Sequence, residues 1–96
     1  MPIVTLRYWA AAKDAAGVAE EKVDAATLAA ALAAGLAAVA SRPGDADRAG
    51  RAERLRLVLA RSSFLVDGEP AGTRPHESVV LPDDAVVEVL PPFAGG

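Results

Sequence analysis

Val86-Val87-Glu88-Val89-Leu90-Pro91-Pro92-Phe93-Ala94-Gly95-Gly96 is the stretch that decides the fold. Valines spaced around Glu88 and ending in Leu90 read as a strand over Ala85 to Leu90, because β-branched side chains suit a pleated, half-buried surface. Two prolines cannot donate to a ladder, so the strand stops there. The remaining residues lead into two glycines. The stretch therefore predicts a folded domain over 1–90 and a flexible tail over 91–96.

The near end of the sequence supplies the strand that fits beside it. Ile3 to Trp9 alternates, with Val4, Leu6 and Tyr8 on one face and Thr5, Arg7 and Trp9 on the other. Val87 and Val89 match the first set, which is the expected core face. Glu88 and Leu90 then share the outer face with Arg7 and Trp9. That alignment predicts a cross-strand ion pair between Arg7 and Glu88, and an apolar patch of Trp9 and Leu90 at the root of the tail.

Between these strands the period changes. Ala10 to Ala16 predicts a short helix stopped by Gly17, and Val18 to Asp24 a strand returning beside the first. Leu28, Leu32, Leu36 and Val39 form one helical stripe with Thr27 as N-cap, and Pro43-Gly44 puts the helix end near Ser41. Gly35 inside it costs about 1 kcal/mol relative to alanine. Asp45 to Gly50 reads as a polar connection. Arg51 to Ala60 carries Leu55, Val58 and Leu59 at helical spacing, which predicts a second, shorter helix; a strand from Leu55 is the competing reading. Ser62 to Val66 is the next strand, Asp67-Gly68 a two-residue turn, and Pro70 confines the returning strand to an edge. Val79 to Leu81 reads as a further short strand and Asp83-Asp84 as a turn. Strand, strand, helix, short strands, strand is the order of an α+β, ubiquitin-like β-grasp: a mixed sheet, first and last strands parallel at its centre, with one main helix on one face.

Composition narrows the chemistry. The 96 residues are 52% hydrophobic and 24% charged, which describes one small domain with one core. Cysteine is absent, removing disulfides, thiolate metal sites and a cysteine nucleophile. Met1-Pro2-Ile3-Val4-Thr5 has neither a basic stretch nor an apolar run of signal length, so a cytoplasmic protein without membrane segments is expected. Arg42, Arg48, Arg51, Arg54, Arg56 and Arg61 crowd one region, but Asp45, Asp47 and Glu53 interleave with them and the net charge is −3. The region reads as a solvated helix face rather than a nucleic-acid surface. His76, the sole histidine, reads as a surface loop residue, and Ser62-Ser63 has no histidine partner in sequence context. No metal site and no bound cofactor are expected, and the chain alone is not expected to be an enzyme.

The tail is the chemical feature. A terminal carboxylate has a pKa near ~3.5, is ionised at neutral pH and resists attack by nucleophiles until activated. Glycine lacks the Cβ that would block a narrow channel. Extended, residues 91–96 reach roughly 20 Å at ~3.3 Å per residue, enough to enter another protein's active site. Pro91-Pro92 limits the entropy lost on docking, and Phe93 offers an apolar anchor.

The terminal Pro91 to Gly96, the preceding Asp83 to Leu90, and Val4 to Gly17 with Tyr8-Trp9 resemble the MoaD/ThiS sulfur-carrier family, most of all the small subunit of molybdopterin synthase (MoaD). The resemblance implies that Gly96 is adenylated by an ATP-dependent activating enzyme of the MoeB type and converted to a thiocarboxylate. The tail would enter a MoaE-type large subunit and donate sulfur to a pterin precursor in molybdenum cofactor synthesis. Gly96 would be the acyl carrier, Gly95, Ala94 and Phe93 would contact the channel, and Trp9, Leu90 and Arg7 would lie on the docking surface. Sulfur delivery to cysteine, thiazole or another metabolite, a ubiquitin-like modifier joined to lysine, and a binding module with an inert tail remain alternatives on sequence alone.

Overall fold

The computed structural model describes residues 2–41 and 48–92. β1 (Ile3–Tyr8) is followed by α1 (Ala10–Ala16), which ends at Gly17. Gly17 takes the left-handed conformation at φ 79°, and its N–H donates to the Lys13 carbonyl at 2.9 Å, the stop expected of a glycine after an alanine run. β2 (Glu20–Asp24) returns antiparallel to β1, with Val4 opposite Val23 and Arg7 opposite Glu20.

α2 (Leu28–Ala40) begins where Thr27 Oγ1 accepts the Ala30 N–H at 3.1 Å and ends at Ser41. α3 (Arg48–Arg61) follows. Expected to be the shorter helix, it has 14 residues against 13 in α2, because Arg48 to Gly50 continue the helix instead of belonging to the preceding connection. The rest of that connection lies outside the described residues. Arg51 Nη1 reaches the Asp14 carbonyl at 3.3 Å, joining α3 to α1, and α3 also lies against α2.

β3 (Ser63–Val66) and β4 (Glu69–Pro70) are joined by Asp67-Gly68, whose φ values of 51° and 85° are those a tight hairpin turn requires. A 3₁₀ turn at His76–Ser78 precedes β5 (Val86–Leu90). The expected strand over Val79 to Leu81 does not form. Val80 makes one isolated bridge to Thr27, while the Val79 carbonyl accepts from Leu28 N–H and the Leu81 N–H donates to Ala26, each at 2.9 Å. The backbone groups are satisfied by the entrance to α2, which leaves no ladder for a strand. His76 is half-buried rather than a plain surface residue, its ring set edge-on to Phe64 at 5.0 Å.

The sheet order is β2-β1-β5-β3-β4, with β1 and β5 parallel at the centre and the other pairs antiparallel. This is the ubiquitin-like β-grasp. Val4, Leu6, Tyr8, Val87, Val89 and Phe64 face the helices and form the core with Leu28, Leu32, Val39 and Leu55. Gly35 explains how closely α2 approaches. A Cβ there would stand 2.5 Å from Tyr8 Oη and 2.7 Å from Leu6 Cδ1, so only glycine permits the contact. The Tyr8 hydroxyl donates to Glu21 Oε2 at 2.7 Å, which keeps the polar end of a buried ring satisfied. No helix among the described residues is long and apolar enough to cross a membrane.

Candidate functional site

The outward residues of the three inner strands make one surface. Thr5 and Arg7 of β1, Val86, Glu88 and Leu90 of β5, and Leu65 of β3 are all half-buried, and none is covered as the core face is. In register, Arg7 lies opposite Glu88 on one side and Glu20 on the other, Leu65 opposite Glu88, and Ser63 opposite Leu90. β5 leaves this surface through Pro91 and Pro92.

Trp9 occupies the junction. Its backbone is extended at φ −115°, ψ 151°, its N–H donates to the Val89 carbonyl at 3.3 Å, and its carbonyl accepts from Ala12 and Lys13. One residue thus joins β1, β5 and the first turn of α1. Ala10 follows with φ 47°, a left-handed angle costly for an L-residue, and the chain turns sharply there. The indole is 46% exposed, and its Nε1–H donates to Glu88 Oε1 at 3.1 Å. Trp9 is therefore partly open to solvent. It lies at the same end of the sheet as Leu90, where the patch was expected.

The expected Arg7–Glu88 ion pair is not formed. Arg7 Nε instead meets Glu20 Oε2 at 3.1 Å, both side chains being about half exposed. The parallel register places Arg7 beside Glu88, but the return of β2 puts a second carboxylate opposite Arg7, and the indole occupies Glu88. Alternation placed Glu88 on this face but gave it the wrong partner, and it did not indicate Glu20 at all. The Glu20 contribution depends on the length of the β1–β2 connection, which has no sequence signature. Phe93, Ala94, Gly95 and Gly96 lie outside the described residues, so the expectations placed on them are tested by chemistry rather than by geometry. Among the described residues no group of His, Asp or Glu side chains could hold a metal.

A central parallel pair, helices on one face, and a last strand that runs out beside an open face define the class: a ubiquitin-like β-grasp domain. Solved structures agree. The chain is similar to the small archaeal modifier protein 1 of Methanosarcina acetivorans, with TM-score 0.71 and 17% identity over 100% of this chain and 98% of that one. It is similar also to a putative molybdopterin converting factor subunit 1 of Pyrococcus furiosus, with TM-score 0.65, 20% identity and coverage of 97% and 100%. A third is the complex of subunits 1 and 2 of the molybdopterin-converting factor from Helicobacter pylori 26695, with TM-score 0.60, 18% identity and coverage of 98% and 99%. No family model matches the chain, and no curated protein does.

Proposed function

We propose that the chain is a sulfur carrier, acting as the small subunit of a molybdopterin synthase. The observation that carries this reading is the path of β5: the central strand ends beside the exposed Trp9 and passes through Pro91-Pro92 toward Phe93-Ala94-Gly95-Gly96. A partner seated on the open face would be positioned to receive the tail. The β-grasp likeness to molybdopterin converting factor subunits supports it.

In this reading a Gly96 carboxylate oxygen attacks the α-phosphorus of ATP on a MoeB-type activating enzyme, and pyrophosphate leaves. A hydrosulfide-level sulfur nucleophile then adds to the acyl carbon, AMP departs, and a thiocarboxylate remains. Within a MoaE-type subunit that sulfur would bond to a carbon of the pterin precursor as an oxygen substituent leaves, and water would then hydrolyse the resulting thioester, restoring the Gly96 carboxylate and leaving a thiol on the pterin. Gly96 carries the acyl group, Gly95, Ala94 and Phe93 contact the channel, and Trp9, Leu90 and Arg7 belong to the docking surface. In this reading the ATP-dependent cycle runs in the cytoplasm.

A second reading is favoured by the likeness to small archaeal modifier proteins: the same activated Gly96 would form an isopeptide with a lysine of another protein. Intact mass of the protein from its own cell, with fragment ions localised to Gly96, separates the two. Replacement of one Gly96 oxygen by sulfur is the expected result. Gly96 found only as free carboxylate or joined to lysine would reject the sulfur-carrier reading. Deleting Gly96, or adding one residue after it, shifts the reacting carbon by about 3.3 Å and abolishes both activation and sulfur transfer without unfolding the domain.

A further inference from the structure

The open face contains a charge that has no counter-ion among the described residues. Glu88 stands on the central strand, half-buried, and its carboxylate accepts one hydrogen bond, from Trp9 Nε1 at 3.1 Å. Among the described residues no cation lies within ion-pair distance of it. Arg7, opposite in register, is engaged by Glu20. Read across β2, β1, β5 and β3, the row is Glu20, Arg7, Glu88, Leu65, with one negative charge in excess and an apolar residue beyond it.

Glu88 is only half-buried, so its carboxylate is open to water in the free protein. A partner laid over the face removes that water, and an ionised carboxylate stripped of solvent without a cation is strongly unfavourable. Neutral donors ease that cost only in part, whereas a charge-assisted pair offsets it and fixes orientation. The indole bond keeps Glu88 turned toward Trp9, so carboxylate and aromatic ring are presented as one unit at the root of the tail.

We propose that the large subunit which receives the tail places an arginine or lysine on Glu88, and that Glu88 determines specificity for that partner while positioning Trp9. The proposal rests on the carrier reading above. It also implies rejection of partners with an acidic surface at this point, since two carboxylates would then be desolvated together.

Calorimetric titration of the full 96-residue chain against the large molybdopterin synthase subunit of the same organism, at low and physiological salt, tests it. Glu88→Gln keeps an acceptor for the indole and removes the charge. It is expected to weaken binding at least about 30-fold and to flatten the salt dependence, with Glu88→Lys weaker still. Emission from Trp9, the sole tryptophan, and the urea midpoint of the free Gln variant stay at wild-type values, which separates lost recognition from lost structure. The loss also persists in an Arg7→Gln background. Binding by Glu88→Gln as tight as wild type, or tighter, would overturn the proposal, as would disappearance of the loss when Arg7 is absent, because Arg7 would then be the cation. Failure of the wild-type chain to bind at all would instead remove the carrier reading, and this inference with it.

Discussion

The two faces of the sheet are made from alternate residues of the same strands, yet they obey different rules. Leu6, Tyr8, Val87 and Val89 are buried to within 2% against α2 and its neighbours, with the one polar tip bonded to Glu21. Arg7, Glu88, Leu90 and Trp9, one residue removed, keep part of their surface in water. The first set can be only apolar and of fixed volume, whereas the second combines charge, an aromatic ring and partial exposure. On the proposed reading, stability and recognition are separated by the two-residue period of a strand, and a substitution should affect one or the other according to parity.

Leu6→Ala is the most direct way to break the comparison on its covered side. A cavity at a fully buried site should cost about 2–5 kcal/mol, lowering the urea midpoint sharply. Arg7→Ala, its sequence neighbour, should change stability by less than about 1 kcal/mol, since an exposed ion pair contributes little. A loss at Arg7 as large as at Leu6 would refute the division.

Trp9→Ala tests the open side. If the proposed docking on a large subunit is right, it should weaken that binding roughly 30-fold, as loss of an aromatic anchor of about 2 kcal/mol does, with the fold retained by circular dichroism. Unchanged affinity in a folded variant would remove Trp9 from the interface. Gly35→Ala sharpens the covered side further. Helix propensity alone favours alanine by about 1 kcal/mol. The new methyl would meet Tyr8 and Leu6 inside a packed core, and overpacking costs about 1–3 kcal/mol, so net destabilisation is expected. A more stable variant would mean that α2 lies farther from β1 than described.

The smallest effect belongs to a surface on neither side of the comparison. On α3, Arg56 bonds the exposed Glu53 carboxylate and holds its pKa below the ordinary value. A lowered folded pKa contributes stability above the unfolded pKa and loses it as pH falls through the folded one. Glu53→Gln should therefore shift the urea midpoint barely at pH 7 and not at all in strong acid. A large shift at neutral pH would show that α3 depends on this pair.

Alternation was legible because burial of one face imposes it: the sequence alone places Val4, Leu6, Tyr8, Val87 and Val89 together, and the helix with its Thr27 cap follows from spacing. Gly35 illustrates what was hidden. Read locally it is a cost, and only the approach of Tyr8 and Leu6 gives it a purpose. Val79 to Leu81 has the composition of a strand, but the entrance to α2 takes its hydrogen bonds, a competition between distant segments that composition does not encode. The Arg7 pairing failed for the same reason, since the identity of the second neighbour depends on how far β2 returns.

The parallel pairing of β1 with β5 has a consequence for synthesis. Trp9 and Glu88, which share one hydrogen bond, are 79 residues apart, and Ile3 meets Asp83 across 80. On a growing polypeptide the first strand must wait, the edge that pairs with β5 unbonded, until residues 86–90 leave the ribosome. Such long-range closure slows folding relative to a helical bundle of this size. It also serves as a check on completeness: a chain interrupted before β5 has no centre to its sheet and no Glu88 beneath the indole. On the proposed reading, a large subunit that reads this surface would therefore engage only copies whose last strand has been made.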